Sequence, residues 1–211
     1  MSKRAGARGM PSNILSKLRE RLSRPFLDRR GVAAVEFAFV MPLLLSMYFV
    51  TMEVSQGIET NKKVSRIASM VADLVTQQQA TSKSELDAIM AIGESLLQPY
   101  NRSRAKIVIT AIEITDEDVP KVKVFWSRKL VDGSTGVDAL KGAATTVPST
   151  LVTRGSFLVR VEASLDYKPV ITWAAADKPA LGLTAAFDGI SMKETYYLRP
   201  RMSAQVTCSD C

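Results

Sequence analysis

The chain has 211 residues, 46% of them hydrophobic and 23% charged, which suits one or two compact domains and is too little for a large multidomain enzyme. Only 11 Gly and 9 Pro exclude a collagen-like or low-complexity chain. Histidine is absent, which removes Ser-His-Asp and Cys-His catalysis and histidine metal sites, and the net charge of +7 sits at one end.

Residues 1–30 hold nine basic side chains (Lys3, Arg4, Arg8, Lys17, Arg19, Arg21, Arg24, Arg29 and Arg30) and two acids, Glu20 and Asp28, while the other 181 residues carry 19 groups of each sign. Directly after them, residues 32–52 read VAAVEFAFVMPLLLSMYFVTM, with Glu36 the single charge. At ~1.5 Å per residue a helix of this length covers about 30 Å of hydrocarbon, so it is predicted to span a membrane. The positive flank predicts a cytoplasmic N-terminus and translocation of residues 53 onward, to the periplasm in a bacterium. A cleaved secretory signal shares the basic-then-apolar pattern. Here, however, the apolar stretch outruns an h-region and ends in Glu53-Val54-Ser55-Gln56-Gly57, without a small-x-small cleavage site. Nucleic acid is not an expected partner, because the span accounts for the basic end and no stacking platform accompanies it.

A carboxylate inside a span costs about 2.5 to 3.5 kcal/mol at the helix centre and less near an interface. Glu36 lies about one turn inside the cytoplasmic end and asks for a cation. Arg29 or Arg30 could supply it. Pro42 removes one backbone hydrogen bond within the span and favours a kink there.

Basic residues, then Gly31, four residues, Glu36-Phe37 and an unbroken apolar helix resemble the prepilin processing site of type IV pilin-like proteins. More narrowly, Gly31-Val32-Ala33-Ala34-Val35-Glu36-Phe37 followed by Met41-Pro42-Leu43-Leu44 resembles the start of the TadE/TadG family, pseudopilins of the tight-adherence (Tad/Flp) pilus system. The resemblance implies cutting by a prepilin peptidase between Gly31 and Val32, with Glu36 and Phe37 in assembly. It also implies other pilin-like subunits and the Tad assembly machinery as partners, and pilus biogenesis, surface adhesion and biofilm formation as the outcome. Cutting would remove the whole +7 segment. The new α-amine of Val32, protonated at neutral pH, could pair with Glu36 of its own chain, four residues on, or of a neighbour.

Beyond the span the helical pattern continues through Val54, Ile58, Val64, Ile67, Ala68, Val71, Leu74 and Val75, with Lys62, Lys63, Arg66 and Asp73 opposite. One helix is predicted over residues 32–76, broken by Gln77-Gln78-Gln79. Ser82-x-x-Glu85 is a capping box that opens a second helix through Leu86, Ile89, Met90, Leu96 and Leu97, closed by Gln98-Pro99. From residue 105 the period becomes two. Strands are predicted at 107–114, at 121–126 with Val122, Val124 and Trp126 on one face, and at 157–167 with Phe157, Val159, Val161, Ala163, Leu165 and Tyr167 inward. A fourth is marked by Tyr196, Leu198, Met202, Ala204 and Val206.

The expected architecture is α+β and pilin-like: a long N-terminal helix, half in lipid, and a short second helix packed on a small antiparallel sheet. Its divisions are a basic leader (1–31), a membrane span (32–52), an extracytoplasmic helical segment (53–99) and a sheet domain (100–211). Residues 131–155 and 169–192 read as long irregular loops, with Trp173, Leu181, Leu183 and Phe187 expected against the sheet.

Cys208-Ser209-Asp210-Cys211 ends the chain. In an oxidising compartment a Cys208–Cys211 disulfide is the leading reading, with pairing between subunits left open. Zinc is not expected, since a site needs four ligands and neither histidine nor a third cysteine exists. With no P-loop, no GxGxxG run and no spaced acidic calcium loop, neither an enzyme nor a cofactor is expected. The alternative to a pilus subunit is an uncleaved single-pass protein whose periplasmic domain binds a ligand or an envelope component.

Overall fold

The computed structural model describes residues 31–169 and 190–211; the expectation for Trp173, Leu181, Leu183 and Phe187 lies outside them. The fold is α+β. In chain order the elements are helix α1 (Val32–Thr76), strand β1 (Ala80–Thr81), helix α2 (Lys83–Ser95), and strands β2 (Lys106–Ile114), β3 (Val122–Val131), β4 (Ser134–Gly136), β5 (Phe157–Tyr167), β6 (Ile190–Leu198) and β7 (Thr207–Cys208). The chain divides into two compact units, Met1–Met52 and Glu53–Cys211, with α1 crossing the division.

In the first unit every residue from 31 to 51 is exposed, including Phe37 at 62% and Phe39 at 79%. Phe39 facing water at that level is unfavourable, and a run of such residues needs a lipid or protein surrounding. The polar side chains of the run bond their own helix: Ser46 Oγ donates to the Leu43 carbonyl at 2.8 Å, and Thr51 Oγ1 to that of Met47 at 2.8 Å. Pro42 stands inside the helix and leaves the carbonyl four residues back without its usual donor.

In the second unit the buried face of α1 is Glu53, Thr60, Val64, Ile67, Ala68, Val71, Ala72 and Val75, at the three-and-four spacing of one helix stripe. Helix α2 begins at Ser82, whose backbone is extended and whose hydroxyl accepts from the Glu85 amide at 3.4 Å, while Glu85 Oε2 accepts from the Ser82 amide at 2.8 Å. That is the capping box read from the sequence. Gly93 lets α2 approach α1: a Cβ built there would sit 2.9 Å from Val71 Cγ2.

The main sheet runs β4-β3-β2-β5-β6, antiparallel throughout. Its helix-facing side presents Ile107, Ile109 and Ala111 of β2 and Phe157, Val159, Val161, Ala163, Leu165 and Tyr167 of β5, which form one core with α1 and α2. The far side holds a smaller cluster, Ile112, Ile114 and Leu158, covered by Val122, Val147 and Leu151.

Two strand expectations are corrected. Val122, Val124 and Trp126 do not share a face, because the β2–β3 register shifts between Ala111 and Ile112. Ala111 pairs with Trp126 and Ile112 with Val124, so Phe125 is the extra residue of a bulge, and the parity of β3 flips across it. Trp126 therefore joins the helix-side core while Val122 lies against the far cluster. The fourth strand is Ile190–Leu198, ending before Pro200, which has no amide to give a ladder. Met202 and Ala204 are exposed, and only Val206 of the predicted continuation is buried.

The stretch 131–155 is also more ordered than a free loop. Asp132 and Gly133, at φ 51° and 78°, make the two-residue turn that pairs β3 with β4. The chain then returns along β3, where the Gly142 amide donates to the Val124 carbonyl at 2.7 Å, and Val147 and Leu151 cap the far cluster.

Candidate functional site

The sequence-derived site residues fall on three places. Gly31 is an exposed turn residue, and its carbonyl accepts the first described bond of α1, from the Val35 amide at 3.2 Å. Val32, Glu36 and Phe37 occupy the exposed first turns of that helix, and Pro42 follows in the same exposed run. Glu36 and Val32 lie four apart on a continuous helix and so face the same side. Among the described residues nothing pairs with the Glu36 carboxylate. The described residues of the first unit, 31–52, thus offer an apolar helix with one acidic group near its beginning.

The span's other end is marked by a group that sequence reasoning passed over. Glu53 is 7% exposed, the first buried position of α1, and its Oε1 accepts a hydrogen bond from the Tyr167 hydroxyl at 2.6 Å. Tyr167 closes β5 and is 1% exposed. Its ring stacks on that of Tyr100 at 5.4 Å, with the Arg102 guanidinium 4.7 Å above the Tyr100 ring centre and 5.6 Å from that of Tyr167. Arg102 Nε also donates to the Lys168 carbonyl at 2.6 Å.

The hydroxyl bonds run in one direction. Ser103 Oγ donates to the Asp166 carbonyl at 2.6 Å, so the Tyr100 hydroxyl donates to Ser103 at 2.8 Å and accepts from the Lys168 amide at 2.8 Å. Burial, and then the neighbouring Glu53 carboxylate, push the Tyr167 hydroxyl up to about 12. It remains a donor across the physiological range. The cluster is built for anchorage: a carboxylate on the first buried turn of the helix is held by a phenol at the end of a central strand. In the sequence, period two placed Tyr167 inward, but nothing local links it to a glutamate 114 residues earlier.

Elsewhere, Arg128 of β3 reaches Asp87 of α2 with Nε at 2.8 Å and Nη2 at 2.7 Å, a two-pronged pair joined by Thr135 Oγ1 at 3.0 Å. That guanidinium holds the Asp87 carboxyl below its ordinary value. The Cys208 and Cys211 sulfurs are bonded to each other, with Cα atoms 5.6 Å apart. The donor atoms of Cys208, Asp210 and Cys211 lie within 4.8 Å of one another, yet bonded sulfurs offer no thiolate to a metal. A cleft of about 240 Å³ lies beside Tyr100 and Arg102, lined also by Gln56, Glu59, Thr60, Lys63 and Pro99.

No curated protein and no solved structure matches the chain. A family model described as TadE-like protein matches residues 31–73, a stretch that begins at Gly31 and takes in Glu36, Pro42 and Glu53. It takes in most of the one helix long and apolar enough to cross a membrane among the described residues, Val32–Thr76, none of whose apolar window is buried. An exposed apolar stretch, its acidic group near the start and the likeness to the TadE-like family thus coincide in one segment, residues 31–73.

Proposed function

We propose that this protein is a minor pseudopilin or assembly subunit of a Tad-type pilus, cut after Gly31 by a prepilin peptidase and supporting pilus biogenesis and surface adhesion. The observation that carries the reading is the coincidence, at one point of the chain, of a +7 leader, Gly31, an exposed apolar helix and the start of the TadE-like match. The leader stays in the cytoplasm and the unit from Glu53 onward lies in the periplasm, as the charge asymmetry directs.

The mechanism follows from the exposed rod. Before assembly its apolar side chains are solvated by lipid; afterwards the rods of neighbouring subunits cover one another. Removing residues 1–31 leaves a chain whose basic and acidic groups balance, so subunits approach without net repulsion. The amine created at Val32 meets Glu36 of the same or an adjacent subunit, and that pairing fixes the axial register, because an unpaired carboxylate in an apolar bundle is costly. A bend at Pro42 eases the passage of the rod out of the bilayer.

The decisive experiment is an intact-mass and N-terminal sequence measurement on the protein recovered from native membranes. A chain starting at Val32 is expected. A chain that keeps the leader would turn the assignment to an uncleaved single-pass protein with a periplasmic binding domain.

A further inference from the structure

The first turn of an α-helix leaves amide donors without partners inside the helix. In α2 the local sequence answers two of the groups at this end: Ser82 accepts from the Glu85 amide, and Glu85 accepts from the Ser82 amide. The Lys83 amide, first in the helix, is answered from the far end of the chain. Asp210 Oδ1 accepts from it at 2.9 Å, across 127 residues of sequence. A carboxylate here also meets the positive end of the helix dipole.

Asp210 reaches that position because the tail is tied on both sides of it. Before it, β7 lies parallel to β1, Ala80 beside Thr207 and Thr81 beside Cys208, and the Thr207 amide donates to the Gln79 carbonyl at 3.4 Å. The Val206 carbonyl accepts from the Trp126 indole at 2.8 Å inside the core. After it, the Cys208–Cys211 bond closes a ring with Asp210 inside. A two-residue strand pair is too short to hold by itself. Cys211 is exposed and Cys208 partly so, which leaves the bond open to a dithiol in solution.

We propose that the Cys208–Cys211 disulfide is a redox-sensitive clasp that docks the C-terminal tail on the start of α2, with Asp210 as its positioning residue. A dithiol attacks one sulfur, and the mixed disulfide resolves as the reagent's second thiol closes its own ring. Two electrons and two protons pass to the protein, leaving Cys208 and Cys211 as thiols. The ring opens, Asp210 leaves the Lys83 amide, and β7 separates from β1. The tail is then fastened only in an oxidising compartment, and the inference stands apart from the pilus assignment.

The test is hydrogen exchange on the full chain in detergent micelles, oxidised and after dithiothreitol, with the Lys83 and Thr207 amides resolved and β2 and β5 as internal references. Reduction is expected to speed exchange at Lys83 about fivefold, the scale of losing one capping partner. Asp210→Ala in the oxidised protein is expected to produce the same rise at Lys83, with little added on reduction, since both act through one contact. The paired Cys208→Ser, Cys211→Ser variant should match the reduced protein. Unchanged Lys83 exchange on reduction overturns the proposal, as do multiplicative effects of reduction and Asp210→Ala. Loss of protection in β2 and β5 alongside Lys83 refutes a local clasp, and recovery of free thiols from the native envelope removes its basis.

Discussion

Tyr167→Phe removes one oxygen from a fully packed position and leaves the ring stacking on Tyr100 intact. What it takes away is the 2.6 Å donor to a carboxylate that is itself 7% exposed. A hydrogen bond to a charged group contributes about 1.5 to 3 kcal/mol, and the phenylalanine ring offers the carboxylate no donor in its place. For a unit of this size that corresponds to a fall in Tm of roughly 3 to 10 °C. Chemical unfolding of the full chain in micelles, followed by tryptophan fluorescence and repeated with Glu53→Gln and with both changes, measures the coupling. The pH dependence adds a second signature. The hydroxyl's value in the folded chain is raised to about 12 from an ordinary 10.0, so its contribution is complete below pH 10 and is lost as the pH rises toward 12. Tyr167→Phe should erase that alkaline loss. A coupling below about 0.5 kcal/mol, together with an unchanged alkaline limb, would show that Tyr167 and Glu53 do not hold this end of the sheet to the helix.

Other expectations test separate parts of the molecule. Asp87, held below its ordinary carboxyl value by Arg128, stabilises the fold above pH 4, and this contribution fades as the pH drops through its lowered value. Asp87→Ala should cost about 1.5 to 3 kcal/mol at neutral pH and flatten the acid limb of a stability profile, because it strands a guanidinium whose side chain is 12% exposed. Gly133→Ala should cost about 1 kcal/mol or more in denaturant titration, since φ is 78° and the new methyl group meets the Arg104 guanidinium. Glu36→Ala should leave membrane insertion intact in fractionation and cut the yield of assembled fibres at least tenfold by electron microscopy; normal fibres would remove Glu36 from the assembly mechanism.

What the sequence determined by itself is whatever depends on neighbours a few residues apart. Period 3.6 and the Gln77-Gln78-Gln79 break set α1, the Ser82/Glu85 pair set the start of α2, and strict alternation set β5 and its inward face, all as the structure has them. The apolar stretch from residue 32 was equally legible, because its length and composition are read from neighbours alone, and every residue from 31 to 51 is exposed among the described residues. Residues 131–155 read as an irregular loop, and the Asp132-Gly133 hairpin turn within it went unread because the short strand after it carries too few residues to show a period.

Tertiary structure decided what depends on partners far along the chain. A one-residue bulge at Phe125 sends Trp126 and Val122 to opposite faces, and it shows only in the pairing of β3 with β2, not in β3's own alternation. The fourth strand sits at Ile190–Leu198 because its ladder to β5 runs from Val159–Leu198 to Tyr167–Ile190, while the apolar marks that pointed further along belong to a tail held by Trp126 and β1. The Glu53–Tyr167 and Lys83–Asp210 bonds join residues more than 100 positions apart. Local propensity acts over a few residues, whereas the value of such a bond exists only once the core has brought both ends together and taken the water away.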